Sequence, residues 1–216
     1  MRLRKVKQAG ALLAANPNLV IQEPKQHRGN WNSLFANTGP IALEIGCGKG
    51  QFVIEMAKRL PATNFIAIEK YDSVLVRVLQ KLLGEPLPNL VLVLEDAERL
   101  GEMFTSGEVR QIYLNFSDPW PKRRQEKKRL SHPAFLEKYR DILQDDGHVS
   151  FKTDNFGMYR YSLLQFNKAE DFAISRLSLD LANSGIFNIK TEFEDRFTNL
   201  GQPIFHFEAI RQRRQR

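Results

Sequence analysis

The first place where this sequence could do chemistry is a run of glycines behind an apolar pentad. Ile41-Ala42-Leu43-Glu44-Ile45 leads into Gly46-Cys47-Gly48-Lys49-Gly50, and glycines at such a strand-to-helix turn let backbone approach a ligand closely. The spacing narrows the ligand. A dinucleotide fingerprint starting at Gly46 needs glycine where Gln51 stands, and no phosphate-cradling G-x-x-x-x-G-K-[ST] is present. What remains is E-x-G-x-G-x-G, with Glu44, Gly46 and Gly48 as ligand-binding candidates. Two more carboxylates close the next apolar runs. Glu69 follows Glu44 by 25 residues, where a carboxylate can accept both hydroxyls of a ribose. Asp96 can accept from an amino group of a ligand, or it can cap a helix, as acidic residues at strand ends often do. All three at the carboxyl edge of a parallel sheet favour the ligand, because that edge is where such sheets bind.

The second cluster is Asn115-Phe116-Ser117-Asp118-Pro119-Trp120-Pro121-Lys122-Arg123-Arg124, which offers a carboxylate and an indole in one turn. It opens onto the densest basic stretch of the chain. Lys122, Arg123, Arg124, Lys127, Lys128 and Arg129 stand against Glu126 alone. With residues 2–7 and 211–216, this stretch carries 14 basic groups and 1 acidic one, so a chain of net charge +7 is otherwise at −6. Clustered charge on a mildly acidic body suggests a polyanionic partner, whereas a uniform excess would mainly serve solubility.

These residues need elements to position them. Residues 41–45, 64–69, 90–94, 111–116 and 148–153 read as strands, and 51–60, 73–83 and 133–143 as helices between them. Asp145-Asp146-Gly147 reads as a turn. Strands alternating with helices at this spacing mean a parallel sheet covered on both faces, an α/β class. A helix over about 157–169 follows. Residues 172–180 could be a strand or a helix start, 183–202 reads as a long loop, and 203–210 alternates like a final strand. Residues 1–40 look like an extension laid against a single domain of 1–216, anchored by Trp31 and Phe35.

The glycine motif resembles the first motif of class I S-adenosylmethionine-dependent methyltransferases. The string Asn-Phe-Ser-Asp-Pro-Trp-Pro-Lys, with Lys152-Thr153-Asp154-Asn155 and Thr191-Glu192-Phe193-Glu194-Asp195-Arg196-Phe197, is similar to the signature of the bacterial tRNA (guanine-N7-)-methyltransferases. The resemblance runs from the glycine loop to the last strand. It implies a Rossmann-like fold, with a mostly parallel central sheet, helices on both faces and an antiparallel last strand. It further implies S-adenosylmethionine as cofactor and the variable-loop guanine of tRNA, position 46, as substrate. Residue by residue, Glu44, Glu69, Asp96 and Asp118 match the family's cofactor contacts, and Asp118 its proposed catalytic residue. Lys122, Asp154, Thr191, Glu192, Phe193 and Glu194 match its substrate contacts. Arg124, Gln125, Glu126, Lys127, Lys128 and Arg129 match its RNA-interacting stretch. Arg196 departs from the lysine common there, which keeps the charge but not the geometry.

That chemistry suits these residues. Guanine N7 has an in-plane lone pair and no proton, so attack on a sulfonium methyl needs position and electrostatics more than a base. Asp118 therefore reads as a recogniser of guanine and a stabiliser of growing positive charge rather than a proton acceptor. Trp120 could stack on a displaced base or serve as a buried edge residue. No metal is expected, because His27, His132, His148 and His206 form no ligand-spaced motif. One cysteine fits a reducing cytoplasm, and the longest aliphatic run, Leu90 to Leu94, cannot span a bilayer. Monomer and homodimer are equally open. The rival readings are a methyltransferase for another RNA or for an amino nitrogen, and a non-catalytic RNA-binding relic that should have lost its ligand carboxylates.

Overall fold

A computed structural model describes residues 6–213. The basic residues Arg2, Arg4 and Lys5, and Arg214 and Arg216, lie outside the described residues. Among those described, the strands are β1 (Val20–Ile21), β2 (Ile41–Ile45), β3 (Asn64–Glu69), β4 (Leu90–Leu94), β5 (Val109–Asn115), β6 (Leu143–Thr153), β7 (Phe172–Ser178) and β8 (Phe205–Arg211), running in the order β1-β4-β3-β2 through the first four and β5-β6-β8-β7 through the last four. The chain divides into two compact units, one through Thr105 and one from Ser106.

In the first unit β1, β4, β3 and β2 pair in parallel. Every residue of β2 and β3 is buried, which is why both read as unbroken apolar runs rather than alternating ones. Helices α2 (Gln51–Arg59) and α3 (Asp72–Gly84) bury Phe52, Val53 and Met56, and Leu75, Val78, Leu79 and Leu82. The short α1 (Ala9–Ala14) packs on α3. Two buried asparagines tie flanking segments to these elements. Asn89 Nδ2 donates to the carbonyls of Ala57, Leu60 and Thr63 at the end of α2, and Asn64 Nδ2 donates to Asn32 Oδ1 and the Asn37 carbonyl. The segment before β2 is thus bonded to the sheet. Trp31 is fully buried, stacks on Phe104 with centroids 5.1 Å apart, and donates from Nε1 to the Met103 carbonyl at 2.8 Å. Trp31 is the anchor expected of it, while Phe35 is only half-buried. A short α4 (Leu100–Met103) completes this unit.

In the second unit β5 pairs with β6 in parallel, and β8 lies antiparallel between β6 and β7. Residues 172–178 are therefore a strand. The turn expected at Asp145-Asp146-Gly147 lies inside β6 as an irregularity. Partners jump from Val109↔Leu143 to Gln111↔His148, with Asp146 at φ 59°. The turn signal is real, and pairing resumes on both sides of it. Helix α5 (Pro133–Ile142) starts on a proline with His132 Nδ1 accepting from Ala134 N–H, and α6 (Phe156–Lys168) is capped by Asn155 Oδ1. The stretch read as a long loop contains a further helix, α7 (Glu192–Asn199).

Candidate active site

The site residues fall into two sets, one in each unit. In the first, β2 ends at Ile45 and the chain turns on Gly46, Gly48 and Gly50, all left-handed with φ 75°, 57° and 78°. The N–H groups of Gly46 and Cys47 both donate to the Ile68 carbonyl, at 2.8 and 3.1 Å, which fastens the loop to the end of β3. A Cβ added at Gly46 or Gly48 would meet nothing within 4 Å, whereas one at Gly50 would lie 2.6 Å from Val78 Cγ1. The first two glycines border open space, and the third permits close packing of α3.

Glu69 is buried at the end of β3 and accepts three backbone N–H groups: Lys70 at 2.9 Å and Tyr71 at 3.1 Å on Oε1, and Gly48 at 3.3 Å on Oε2. Burial pushes its carboxyl above the ordinary value, against the pull of those N–H groups. A carboxylate offers about four acceptor positions, so room remains for about one more donor. Glu44 is buried within β2. Asp96 is half-exposed and caps the following 3-10 turn, with Oδ1 accepting from Glu98 N–H at 2.9 Å. The capping role is therefore present, and it engages one of the two oxygens.

In the second unit, Asp118 stands exposed in the turn after β5. Phe116 and Trp120 on either side have φ of 50° and 40°, a region that costs a non-glycine residue about 1–2 kcal/mol. Trp120 also precedes Pro121, where sterics steer the chain towards extended backbone. Strain concentrated in a five-residue turn persists only when its surroundings over-determine it. Here aromatic packing does so on one side. The Phe116 ring is stacked with Phe193 and Phe197 of α7, at 6.2 and 6.4 Å between centroids. On the other side Arg129 donates from Nε to the Pro119 carbonyl at 2.9 Å and from Nη2 to the Trp120 carbonyl at 3.1 Å, while its guanidinium lies 4.2 Å over the Tyr161 ring. Lys128 Nζ sits 4.9 Å over the Trp120 ring.

Helix α7 is fixed in turn by a buried polar knot. Lys152 Nζ donates to Asn188 Oδ1 at 2.9 Å, the Ile189 carbonyl at 2.9 Å and Glu194 Oε2 at 3.0 Å, and Asn188 Nδ2 donates to Glu194 Oε1. Thr191 Oγ1 caps the helix by accepting from Glu194 N–H at 3.0 Å. Thr191 and Glu194 are accordingly buried, whereas Phe193 is exposed and Glu192 half-exposed. Asp154 is half-exposed between β6 and α6. Neither the knot nor the aromatic clamp is expected from the sequence. The signals that could reveal them are the Thr191-x-x-Glu194 spacing of a helix start and the four-residue interval of Phe193 and Phe197.

The basic stretch forms a 3-10 segment over Arg123–Lys128. Lys122, Arg123, Arg124, Lys127 and Lys128 are exposed, Gln125 and Glu126 half-exposed, and Arg129 is turned inward to the carbonyls just described. Of the basic residues near the carboxyl end, Arg211 donates to the Leu143 carbonyl and Asp145, and Arg213 lies 3.6 Å from Asp145. His206 is buried, with Nδ1 on the Phe151 carbonyl, and burial pushes it down to about 4, so it is a neutral core histidine. Among the described residues no cluster of three or more His, Cys, Asp or Glu could hold a metal, and no helix is long and apolar enough to cross a membrane.

Known proteins resemble the chain at two levels. In fold, it is similar to the 16S rRNA methyltransferase KamB, with a TM-score of 0.65 at 14% identity over 86% of this chain and 94% of that one. It is also similar to a 16S rRNA (adenine(1408)-N(1))-methyltransferase from Catenulisporales acidiphilia solved with cosubstrate SAM, with a TM-score of 0.59 at 13% identity over 87% and 92%. In sequence, residues 38–207 match a family model described as "Putative methyltransferase". A tRNA (guanine-N(7)-)-methyltransferase of Exiguobacterium is 47% identical over 97% of this chain and 98% of its own length. That of Bacillus subtilis is 44% identical over 97% and 98%. Similarity at that level over nearly the whole of both chains, on a class I methyltransferase fold, shows that this chain belongs to the tRNA (guanine-N(7)-)-methyltransferase family.

Proposed function

We propose that the chain transfers the methyl group of S-adenosylmethionine to N7 of the guanine at position 46 in the tRNA variable loop, forming 7-methylguanosine. It does so in the cytoplasm, as a single methyltransferase domain over 1–216 with 1–40 as an extension. The observation that carries this reading is the turn after β5: an exposed Asp118 between two left-handed residues, followed at once by exposed Lys122, Arg123, Arg124, Lys127 and Lys128.

The first unit suits the cofactor. Gly46 and Gly48 border open space that any side chain would fill, which is what close approach of an adenosyl group requires. Glu69, with three N–H groups already on it, takes one ribose hydroxyl rather than both, and Glu44 takes the other. The second oxygen of Asp96 accepts the adenine amine. When bound, the cofactor supplies an electrophilic methyl on a sulfonium.

The chain's own residues then have to present guanine N7 to that methyl. Asp118 accepts from guanine N1–H and the exocyclic amine, which selects guanine over adenine, and its charge opposes the positive charge that grows on the ring. Asp154 adds to that field. Lys122, Glu192 and Phe193 contact the substrate, while Thr191 and Glu194 act from behind by holding α7. The exposed residues from Arg124 to Lys128 meet the surrounding phosphates.

Incubating the protein with methyl-labelled S-adenosylmethionine and unmodified tRNA, then digesting the RNA, tests all of this at once. Label in 7-methylguanosine at the variable loop is the expected result. Label in another nucleoside would overturn the substrate assignment and leave the cofactor site standing.

A further inference from the structure

The basic stretch contains one residue whose surroundings set it apart from its neighbours. The turn from Asp118 to Pro121 holds two prolines, so two of its backbone nitrogens have no hydrogen to donate. Its carbonyls need donors from elsewhere. Arg129 supplies them to two successive carbonyls: Nε–H to Pro119 at 2.9 Å and Nη2–H to Trp120 at 3.1 Å. The guanidinium is itself braced 4.2 Å over the Tyr161 ring, on α6. It is half-buried where Arg123, Arg124, Lys127 and Lys128 are exposed. The carbonyl it grips on Trp120 belongs to one of the two strained residues that bracket Asp118.

We infer that Arg129 is a positioning residue for the Asp118 turn and not one of the phosphate contacts of the basic stretch. This inference rests on the function proposed above for its catalytic consequence, although the clamp itself does not. The fork geometry explains the residue type. Two donors of one planar group fit adjacent carbonyls while the plane stacks on tyrosine, whereas a lysine offers a single point charge and no plane. Tyr161 is the second part of the device, since it fixes the plane from which the fork reaches.

The test compares Arg129→Ala, Arg129→Lys, Tyr161→Leu and Arg124→Ala with the parent full-length protein. Displacing a reacting group by about 1 Å costs on the order of 100-fold in rate. Arg129→Ala should therefore lower kcat by about that factor at saturating tRNA, with tRNA affinity and its salt dependence unchanged. Added guanidinium ion should restore part of the rate, Arg129→Lys should not, and Tyr161→Leu should lower kcat in the same sense but less. Arg124→Ala should differ in kind, its effect falling on tRNA binding, with the salt slope reduced by roughly 0.7–0.9. If Arg129→Ala behaves like Arg124→Ala, or leaves both parameters intact, the inference is wrong.

Amide hydrogen exchange separates this result from failure of the proposed function. In Arg129→Ala, exchange should rise in peptides spanning 116–122 and stay unchanged in α5, and equal protection in both proteins would overturn the clamp. A parent protein that makes no 7-methylguanosine would sink the substrate assignment, while the exchange comparison would still decide the role of Arg129. Should Arg129→Ala not fold, Tyr161→Leu carries the same comparison.

Discussion

The glycine loop after β2 and the Asp118 turn after β5 both leave a parallel strand at its carboxyl end, and they are held by opposite means. The first adopts left-handed backbone where glycine accepts it freely, and its bonds are backbone N–H groups on the Ile68 carbonyl and Glu69. The second adopts left-handed backbone at phenylalanine and tryptophan, and side chains hold it: Phe193 and Phe197 by stacking, Arg129 by its fork. A loop that must leave room for a ligand does best without side chains. A turn that must project one carboxylate needs rigid support behind it, even at some cost in strain.

Substitutions can break this contrast, beginning with the support of α7. Glu194→Ala strands the Lys152 ammonium in a buried site. Stability should fall by about 3–5 kcal/mol, measured by denaturant unfolding, and a fall below about 1 kcal/mol would mean that the knot relaxes into water. Asp118→Ala should lower kcat by about 100- to 1,000-fold with tRNA affinity nearly intact. An equal drop in both would remove Asp118 from its assigned role.

Smaller effects distinguish the glycines. Gly50→Ala places a Cβ 2.6 Å from Val78 and should cost about 1–3 kcal/mol of stability through overpacking, on top of about 1–2 kcal/mol for its left-handed φ. Gly48→Ala meets nothing and should cost only the strain of its φ, about 1–2 kcal/mol, yet it should weaken S-adenosylmethionine binding measured by calorimetry. If Gly48→Ala binds the cofactor normally, the open space beside it is not the binding site. The smallest expected effect is on salt dependence. Neutralising any one phosphate-binding side chain among Arg123, Arg124, Lys127 and Lys128 should flatten the slope of log affinity against log salt by roughly 0.7–0.9.

Strands β2, β3 and β4 are legible to the residue, because parallel strands buried on both faces are written as plain apolar runs. Helix α7 is not. Its buried side chains are Glu194 and the capping Thr191, and its apolar signal is the single four-residue interval of Phe193 and Phe197, too short to tell two helical turns from a loop. The same limit governs the site. Glycine spacing and acidic strand ends are local signals, and Glu44, Gly48, Glu69 and Asp118 stand out without a structure. Whether a basic residue faces solvent or grips a carbonyl is a tertiary fact, and in composition Arg129 is one more positive charge among six in its stretch.

Trp31 and the two asparagine contacts on Asn64 bear on where this protein can be cut. Residues 31–37 fill a slot against Met103 and Phe104 and cap the start of β3, so a fragment beginning at the first long strand would expose an aromatic bed and orphan a buried amide. A protease should therefore trim near the amino end and stop short of Trp31, and a minimal version of the molecule has to keep that plug.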